Sequence, residues 1–389
     1  MIKVEEEMIE KADVVIIGGG VMGTSTAYHL GKLGCKDVVL VERDQLASGS
    51  TGLSAGGIRL QFSLKANIRI SMESLRTFER FAEEFETQID FRQHGYLFLA
   101  TRPKDWAEFQ ANVAVQQRTG VPVRLLSPEV IRDMAPYLYL DDVVGGTFCP
   151  RDGYADPYSV AMGFAKQARR LGVRICEETE ALDIKVSEGK VKAVVTDKGE
   201  IVTPVVVNVA GPWAAQVGRM AGLELPVVPY RRQVFVTAPF DELPRQIPMI
   251  IDFAPSFYFR REGASVLMGM TDQEEPPSFN TNFDLEFLVK VAEKAAHRAP
   301  VLDRAGFMRG WGGLYAITPD DNPIIGQDIG DVEGFYCAVG FSGHGFMQSP
   351  AVGRILADLI TSGETDFDLS PFRLERFKTE GLMGERRVV

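Results

Sequence analysis

A glycine-rich turn near the N-terminus carries the clearest chemical signal in the sequence. Gly18, Gly20 and Gly23 stand in the segment GGGVMG, between a short β-branched run and an apolar helical pattern, and a second β-branched run leads directly to Glu42. Glycines there permit a tight turn, close approach to a pyrophosphate and close helix packing, and the helix N-terminus favours phosphate. Glu42 suits the ribose hydroxyls and would repel a 2′-phosphate. The order strand, glycine turn, helix, strand and acid predicts a dinucleotide-binding unit.

A second glycine loop lies near the C-terminus, in FSGHGFMQ at 341–348. We expect Ser349 to cap the following helix and Pro350 to take its first position, with the helix running from 351 to about 361. Backbone donors and a helix dipole suit the N1–C2=O edge of a reduced flavin, where negative charge develops. A simple strand-to-helix connection is the alternative, and the N-terminal unit favours the flavin. Ala210 and Gly211, which follow a buried-looking strand, suggest another close approach to a cofactor.

The composition excludes several other function classes. The four histidines and four cysteines stand at no metal-ligand spacing, and no disulfide framework is indicated. Because 42 Lys and Arg oppose 53 Asp and Glu, the net charge of -11 argues against nucleic-acid binding. No apolar run reaches the roughly 18 residues of a membrane span. Residues 1–11 are acidic and lack the features of a signal peptide. We therefore expect a cytoplasmic protein.

The 389 residues are too many for one ordinary core and suggest two domains, or one large α/β body with an inserted lobe. The order of strands and helices predicts an α/β protein, α+β overall, with two domains. The first is a discontinuous Rossmann-type domain at 12–90, 146–225 and 306–365. The second is an inserted, β-sheet-rich substrate domain at 91–145 and 226–305, and residues 366–389 form a C-terminal tail. Further expectations are helices at 71–86, 160–171 and 285–298, strands at 96–100 and 335–339, and a crossing between domains at 150–158.

Several motifs together resemble the D-amino-acid-oxidase superfamily of FAD enzymes. They are GGGVMG, SGST at 48–51, GIRLQF at 57–62, HGYLFL at 94–99, TPD at 318–320 and GFSGHGFM at 340–347. The likeness extends from Ala12 to Gly363 and lies in the branch of sarcosine oxidase, glycine oxidase and dye-linked L-proline dehydrogenase. It is greatest to the catalytic β subunits of L-proline dehydrogenase and heterotetrameric sarcosine oxidase. It implies oxidation of a small amino or imino acid, such as L-proline, sarcosine, glycine or an N-alkyl amino acid. Hydride would pass from the carbon of the C–N bond to flavin N5 and leave an imine.

The resemblance assigns four catalytic candidates. Arg59 would hold the substrate carboxylate with its planar fork, unless it is a surface or phosphate-facing arginine. Tyr315 would contact the substrate or shape the pocket, the alternative being a core aromatic residue. His344 would stabilise an anionic flavin or direct proton transfer, unless it is structural. Tyr258 is a weaker pocket candidate. The implied cofactor contacts are Gly18, Gly20, Val21, Met22, Gly23, Glu42, Arg43, Ser50, Thr51, Gly57, Ile58, Ala181, Ala210, Gly211, Trp213, Gly313, Gly343, His344, Gly345, Phe346 and Met347.

The sequence also departs from the family pattern. Leu53 and Gly313 replace the His and Cys that tether FAD in some relatives, so we predict non-covalent FAD. Pro157 falls near the His that tethers FMN in one branch, which leaves a non-covalent FMN at a subunit interface open but not predicted. Met347 and Leu267 stand where monomeric sarcosine oxidase has lysines for carboxylate and oxygen. These losses favour a dehydrogenase slightly over an oxidase.

Two other functions stay open at this stage. A non-catalytic or partner-dependent flavoprotein subunit would bind FAD and ignore amino acids. An NAD-dependent dehydrogenase would use the same first unit, but it would not need the SGST segment or the second glycine loop. We expect an oligomer, and the sequence leaves the substrate amine, the electron acceptor and the need for a partner subunit undecided.

Overall fold

The computed structural model describes residues 9–327 and 329–378. The strands in this part of the chain are β1 Val14–Ile17, β2 Val38–Val41, β3 Gly57–Ile58, β4 Tyr96–Ala100, β5 Arg124–Leu126, β6 Gly145–Cys149, β7 Gly153–Tyr154, β8 Arg174–Cys176, β9 Ala181–Ser187, β10 Lys190–Thr196, β11 Gly199–Val202, β12 Val206–Asn208, β13 Val228–Thr237, β14 Met249–Asp252, β15 Phe257–Glu262, β16 Ser265–Met270, β17 Phe307–Ile317, β18 Ile324–Gly326 and β19 Phe335–Val339.

The α-helices are α1 Val21–Lys32, α2 Lys65–Glu79, α3 Phe81–Phe85, α4 Pro103–Arg118, α5 Pro128–Met134, α6 Pro157–Arg170, α7 Ala214–Met220, α8 Leu285–Arg298 and α9 Gly345–Ser362. Short 3-10 turns occur at Gly211–Trp213, Pro300–Arg304, Ile329–Asp331, Ser370–Phe372 and Leu374–Lys378. Among the described residues, no helix is both long and apolar enough to cross a membrane.

A six-stranded sheet in the order β18-β19-β12-β1-β2-β8 forms the first core. Its strands pair in parallel except for the antiparallel edge strand β18. Both faces are buried, which explains the continuous apolar runs of β1 and β2. Val14 and Ile16 pack against α1 and α9, whereas Val15 and Ile17 pack against the small sheet β9 to β11 and α7. Strand alternation thus divides β1 between two cores.

An eight-stranded sheet in the order β17-β13-β16-β15-β14-β4-β6-β5 forms the second body. Its neighbours pair antiparallel except β14 and β4, which are parallel. Leu97 and Leu99 face a core that is covered by α5 and α8, while Tyr96 and Phe98 point to the opposite face. One face of this sheet is therefore a closed core and the other is available to build a site.

Much of the element pattern agrees with the sequence analysis. The strands at 96–100 and 335–339 and the helix at 285–298 are present with the predicted bounds. The helix predicted at 71–86 instead begins at Lys65 and is interrupted at Arg80, whose backbone leaves the helical conformation, before α3. The chain crosses between the bodies at 150–158, where β6 ends, β7 pairs with β3 and α6 begins.

The domain boundaries stay a prediction, with adjustments that strand pairing requires. The predicted Rossmann-type domain includes residues 146–149 and 307–317, whereas β6 pairs with β4 and β17 pairs with β13 in the eight-stranded sheet. Of the predicted tail at 366–389, residues 379–389 lie outside the described residues. Its earlier part packs on the protein, since Phe372 is buried in the first core and Arg376 pairs with Asp320.

The predicted start of the last helix was wrong. Helix α9 begins at Gly345, so Pro350 lies inside it rather than at its first position. Proline has no N–H and leaves the carbonyl one turn earlier without its usual donor. The Ser349 hydroxyl supplies that donor, because its Oγ lies 2.9 Å from the Phe346 carbonyl oxygen. The helix therefore continues through the proline and places its N-terminus five residues earlier than expected.

Replacing Gly353 by Ala should destabilise the protein. A Cβ at this position of α9 would lie 2.2 Å from Ser25 Oγ and 2.7 Å from the Ser25 carbonyl carbon of α1. We expect a loss of about 1–3 kcal/mol in unfolding free energy, because overpacking outweighs the better helix propensity of alanine. Urea unfolding measures it. Gly306→Ala is the control, since no neighbouring atom comes closer than 3.7 Å to its Cβ. Equal midpoints for wild type and Gly353→Ala would contradict the prediction.

Candidate active site

The turn between β1 and α1 forms a compact backbone cradle. Gly18 has a φ of +117°, and a Cβ there would lie 2.7 Å from the Val209 carbonyl oxygen. A Cβ on Gly23 would lie 1.9 Å from the Gly18 carbonyl oxygen, so this glycine allows the helix to pack on the turn. Gly20 precedes α1, and the Val21 N–H donates to Thr51 Oγ1 at 3.0 Å. Gly20, Val21 and Met22 line the adjoining cavity, so the N-terminus of α1 lies at its wall.

Glu42 lies beside this turn at the end of β2. Its Oε2 accepts the Gly19 N–H at 2.6 Å and its Oε1 accepts the Asp44 N–H at 3.0 Å, which fixes the carboxylate against the glycines. The next residue, Arg43, places its guanidinium 3.9 Å from the centre of the Trp213 ring. Trp213 in turn stacks on Phe279, with ring centres 5.5 Å apart. A charged and aromatic wall therefore closes this end of the cavity.

The start of α9, which follows β19, lines the same cavity as the start of α1. The loop before it turns through Ser342 and Gly343, which have φ values of 49° and 97°. The first hydrogen bond within the helix runs from the Gln348 N–H to the His344 carbonyl oxygen. The N–H groups of Gly345, Phe346 and Met347 consequently have no acceptor in the helix. Two helix N-termini thus offer positive dipole ends to one cavity.

The cavity has a volume of about 530 Å³ and runs between the two bodies of the protein. Its far wall is one face of the eight-stranded sheet, because residues that alternate along five strands share that face. Backbone pairing between neighbouring strands joins these strands into one continuous sheet from β17 to β4. The residues of this face that line the cavity are Tyr96, Arg232, Val234, Met249, Ile251, Tyr258, Gly313 and Tyr315, and Leu314 and Ala316 of β17 also border it.

Three tyrosines cluster on this wall, namely Tyr96, Tyr258 and Tyr315. Burial raises the pKa of each phenol, although the neighbouring arginines oppose the rise, so all three are protonated at neutral pH. Two glycines make room for them. A Cβ at Gly57 would lie 2.1 Å from the Tyr96 hydroxyl oxygen, and one at Gly269 would lie 2.5 Å from that of Tyr258. Among the described residues, this wall therefore offers neutral hydroxyl groups and no carboxylate.

Arg59 and His344 meet at the junction of sheet and loop. Arg59 Nη2 lies 3.1 Å from His344 Nε2, and both side chains are buried. Burial lowers the pKa of His344 well below its ordinary value, and the positive charge of Arg59 adds to this effect. The imidazole is neutral, so Nε2 accepts from Arg59 and Nδ1 carries the proton. Nδ1 has no hydrogen-bond partner within the described residues. His344 therefore acts in the site as a neutral group, not as a cation.

A buried carboxylate, Asp152, lies behind Arg59 and outside the cavity lining. It accepts the Leu60 N–H at 2.8 Å and the Gln61 side-chain amide at 2.9 Å, so it fixes the backbone that follows Arg59. Burial raises the pKa of Asp152 to about 6, against the opposing hydrogen bonds and the charge of Arg59. Asp152 thus holds the segment that carries Arg59 without itself reaching the cavity.

Most of the residues proposed from sequence come together around this cavity. Gly23 and Ile58 are the exceptions among the proposed cofactor contacts, because one packs α1 on the turn and the other is buried in a core. Tyr96 and Arg232 also line the cavity and are not among the residues predicted from sequence. An alternating strand pattern could have suggested them, but nothing in the sequence indicates which face of the strand meets the cavity. The proposed residues that line it are Gly18, Gly20, Val21, Met22, Glu42, Arg43, Ser50, Thr51, Gly57, Arg59, Ala181, Ala210, Gly211, Trp213, Tyr258, Gly313, Tyr315, Gly343, His344, Gly345, Phe346 and Met347.

The model of the FAD dependent oxidoreductase family, DAO, matches residues 13–359. The chain belongs to this family. It is 34% identical to rat (Rattus norvegicus) mitochondrial dimethylglycine dehydrogenase over 383 residues. This alignment covers 93% of the chain and 44% of the rat protein. The L-proline dehydrogenase from P. horikoshii is 35% identical with a TM-score of 0.89, over 95% of this chain and 98% of that one. The glycine oxidase from Geobacillus kaustophilus is 26% identical with a TM-score of 0.84, over 94% and 99%.

Family membership confirms the predicted resemblance, the α/β fold with a Rossmann-type unit, and FAD as the cofactor. The chain spans less than half the length of the rat relative. The site fits FAD, since two helix N-termini can receive its anionic groups and Glu42 can receive a ribose hydroxyl. No group of three or more His, Cys, Asp or Glu within the described ranges is placed to hold a metal ion.

Glu42→Gln should weaken FAD binding. The carboxylate lines the cavity beside the glycine turn and would accept hydrogen bonds from the ribose. Because a hydrogen bond to a charged group contributes about 1.5–3 kcal/mol, we expect a Kd about 10-fold or more higher. Quenching of flavin fluorescence on titration of the apoprotein measures it. Glu200→Gln is the control, because Glu200 pairs with Lys185 in the small sheet away from the cavity. An unchanged Kd for Glu42→Gln would contradict this role.

His344→Asn should reduce the acid sensitivity of the fold. The pKa of His344 is depressed in the folded state, so the unfolded chain binds the extra proton and stability falls as the pH drops below about 6.5. Asparagine can still accept from Arg59 but does not titrate. We expect the slope of unfolding free energy between pH 6 and 5 to decrease by up to about 1.4 kcal/mol per pH unit. Urea unfolding at pH 7, 6 and 5 measures this slope, and identical slopes in both proteins would refute the assignment.

Proposed function

We propose that this protein oxidises a small N-alkyl amino acid or imino acid, such as an N-methyl glycine or L-proline, at a carbon–nitrogen bond. Two similar proteins, rat dimethylglycine dehydrogenase and the L-proline dehydrogenase from P. horikoshii, are named for substrates of this kind. The observation that carries the proposal is the sheet wall of the cavity. Its described residues combine arginine charge with neutral phenols and include no carboxylate side chain. Such a wall attracts a carboxylate and leaves no fixed anion to hold an ammonium group.

The side chains give the bound amino acid its orientation and protonation state. Arg59 and Arg232 place positive charge at the cavity wall, which favours a carboxylate and disfavours a protonated amine. The hydroxyls of Tyr96, Tyr258 and Tyr315 can donate or accept beside it. Burial excludes bulk water, which strengthens each of these interactions. FAD, when bound, supplies the capacity to accept hydride from the substrate carbon.

We further propose that FAD is bound without a covalent tether. Leu53 and Gly313 lie together in the cavity lining, where a Cβ on Gly313 would be 3.2 Å from the Leu53 carbonyl oxygen. Neither residue has a nucleophile. A histidine could also tether the flavin, and among the described lining residues the histidine is His344. Its Nε2 already accepts a hydrogen bond from Arg59. Denaturation should consequently release all the flavin into solution.

The finer predictions stay proposals. A dehydrogenase that passes electrons to an acceptor or partner subunit remains slightly favoured over an oxidase, because Met347 and Leu267 replace lysines of the monomeric oxidase. A subunit that needs a partner is the alternative to an independent enzyme. The rat relative is more than twice as long as this chain, which is compatible with either. A cytoplasmic location and an oligomeric state are likewise proposals.

Anaerobic substrate addition tests the proposed activity. We expect the purified FAD-loaded protein to lose its visible flavin band on addition of sarcosine, dimethylglycine or L-proline, because electrons then reside on the flavin. Absorbance spectra before and after addition measure this reduction, and acetate is the control because it has no amine to oxidise.

Readmitting air to the bleached sample then separates the two reaction classes. Rapid return of the flavin band identifies an oxidase, while persistence of the reduced spectrum until an artificial acceptor is added identifies a dehydrogenase. A yellow protein that none of these amino acids bleaches would contradict the proposed function.

A further inference from the structure

We propose that Arg232 anchors the carboxylate of the substrate and thereby sets the preference for amino acids over uncharged amines. Arg232 lies on β13, in the sheet wall of the cavity, and was not singled out by the sequence. This inference rests on the proposed function, since it names the residue that recognises its substrate class.

The register of the sheet points Arg232 into the cavity. Its partner directly across on β17 is Gly313, which has no side chain to cover the guanidinium. Tyr230, two residues before it, pairs with Tyr315, so the arginine lies diagonally beside both rings on the same face. The guanidinium carbon is 5.4 Å from the centre of the Tyr315 ring and 5.9 Å from that of Tyr230. Two aromatic rings thus position the arginine at the cavity.

Arg232 forms no ion pair within the described part of the chain, although the carboxylates of Glu275, Asp321 and Asp272 lie near enough to favour its charge. Its Nη1 donates to the Arg231 carbonyl oxygen at 2.9 Å, and its Nε is buried without a partner. The nearby carboxylate of Glu275 pairs instead with Arg231, at 2.8 Å. Burial lowers the pKa of Arg232, against the opposing influence of Tyr315 and these carboxylates. Buried charges are normally paired, and an anionic ligand would supply the missing partner.

Arg59, the arginine expected from sequence, has a different environment. One of its terminal nitrogens already donates to His344, and its guanidinium lies 4.7 Å from the Phe62 ring centre. Asp152 lies close enough behind it that the two charges interact. These contacts hold Arg59 in place. The guanidinium of Arg232 donates to a backbone oxygen and its buried Nε has no partner, so Arg232 is the better candidate for a direct ion pair with the substrate, while Arg59 adds positive charge nearby.

The test measures binding of a carboxylate without turnover. Tetrahydrofuran-2-carboxylate has the shape of proline with oxygen in place of nitrogen, and its primary amide has no charge. Titrating each compound into the FAD-loaded full-length protein, and following the flavin spectrum, gives two Kd values for each variant. The variants are Arg232→Gln and Arg232→Lys. Arg309→Gln is the matched control, because it removes an exposed arginine from the adjacent strand β17.

In Arg232→Gln we expect the Kd of the carboxylate to rise about 10- to 100-fold while that of the amide stays within about twofold. Arg232→Lys should lie between wild type and Arg232→Gln, because lysine keeps the charge and loses the planar fork. Arg309→Gln should match wild type. If Arg232→Gln does not fold, Arg232→Lys decides, and a carboxylate preference equal to that of wild type overturns the assignment.

The outcomes separate this inference from the proposed function. If wild type is bleached by an amino acid but Arg232→Gln keeps the wild-type preference for carboxylate over amide, Arg232 is not the anchor and the proposed activity stands. Loss of preference in Arg59→Gln with no change in Arg232→Gln would transfer the role to Arg59. If wild type is bleached by none of the amino acids and binds neither probe, both proposals fail.

Discussion

The close crossing of α1 and α9 is the constraint on which the site depends. Gly353 of α9 lies so near Ser25 of α1 that no side chain fits between them, and the Ser25 hydroxyl donates to the Ser349 carbonyl oxygen at 2.8 Å. Both helices follow parallel strands of one sheet, so both N-termini lie at the same edge. A wider crossing would separate the two positive dipole ends. Their convergence gives one cavity the donors for an anionic cofactor.

The sequence was sufficient for those parts of the site that are made by local backbone geometry. The turn at Gly18 and the loop at Gly343 each need glycine for reasons that act within a few residues, so their motifs could be recognised. The start of α9 could not, because the hydroxyl of Ser349 compensates for the missing N–H of Pro350. That hydrogen bond offsets the ordinary rule for proline and is visible only in the structure.

Arg232 illustrates a different limit of sequence reasoning. It stands beside Arg231 in the same strand, and alternation requires the two side chains to point to opposite faces. Only the register with β17 and the position of Glu275 decide which one faces the cavity. The same limit applies to the domain boundaries, since β6 and β17 join the larger sheet through pairing with strands distant in sequence. Non-local pairing is the information that local patterns lack.

The two sheets line different parts of the cavity, and this separation bears on which substrates the fold can accept. The glycine turns and helix N-termini that would hold FAD belong to the six-stranded sheet, whereas the wall proposed to bind the substrate is one face of the other sheet. Residues such as Leu97 and Leu99 hold the opposite face in a core, so a change at Tyr96 or Arg232 need not disturb it. Specificity can therefore vary while the fold is kept. This agrees with TM-scores of 0.89 and 0.84 to a proline dehydrogenase and a glycine oxidase, which differ in the substrates they are named for.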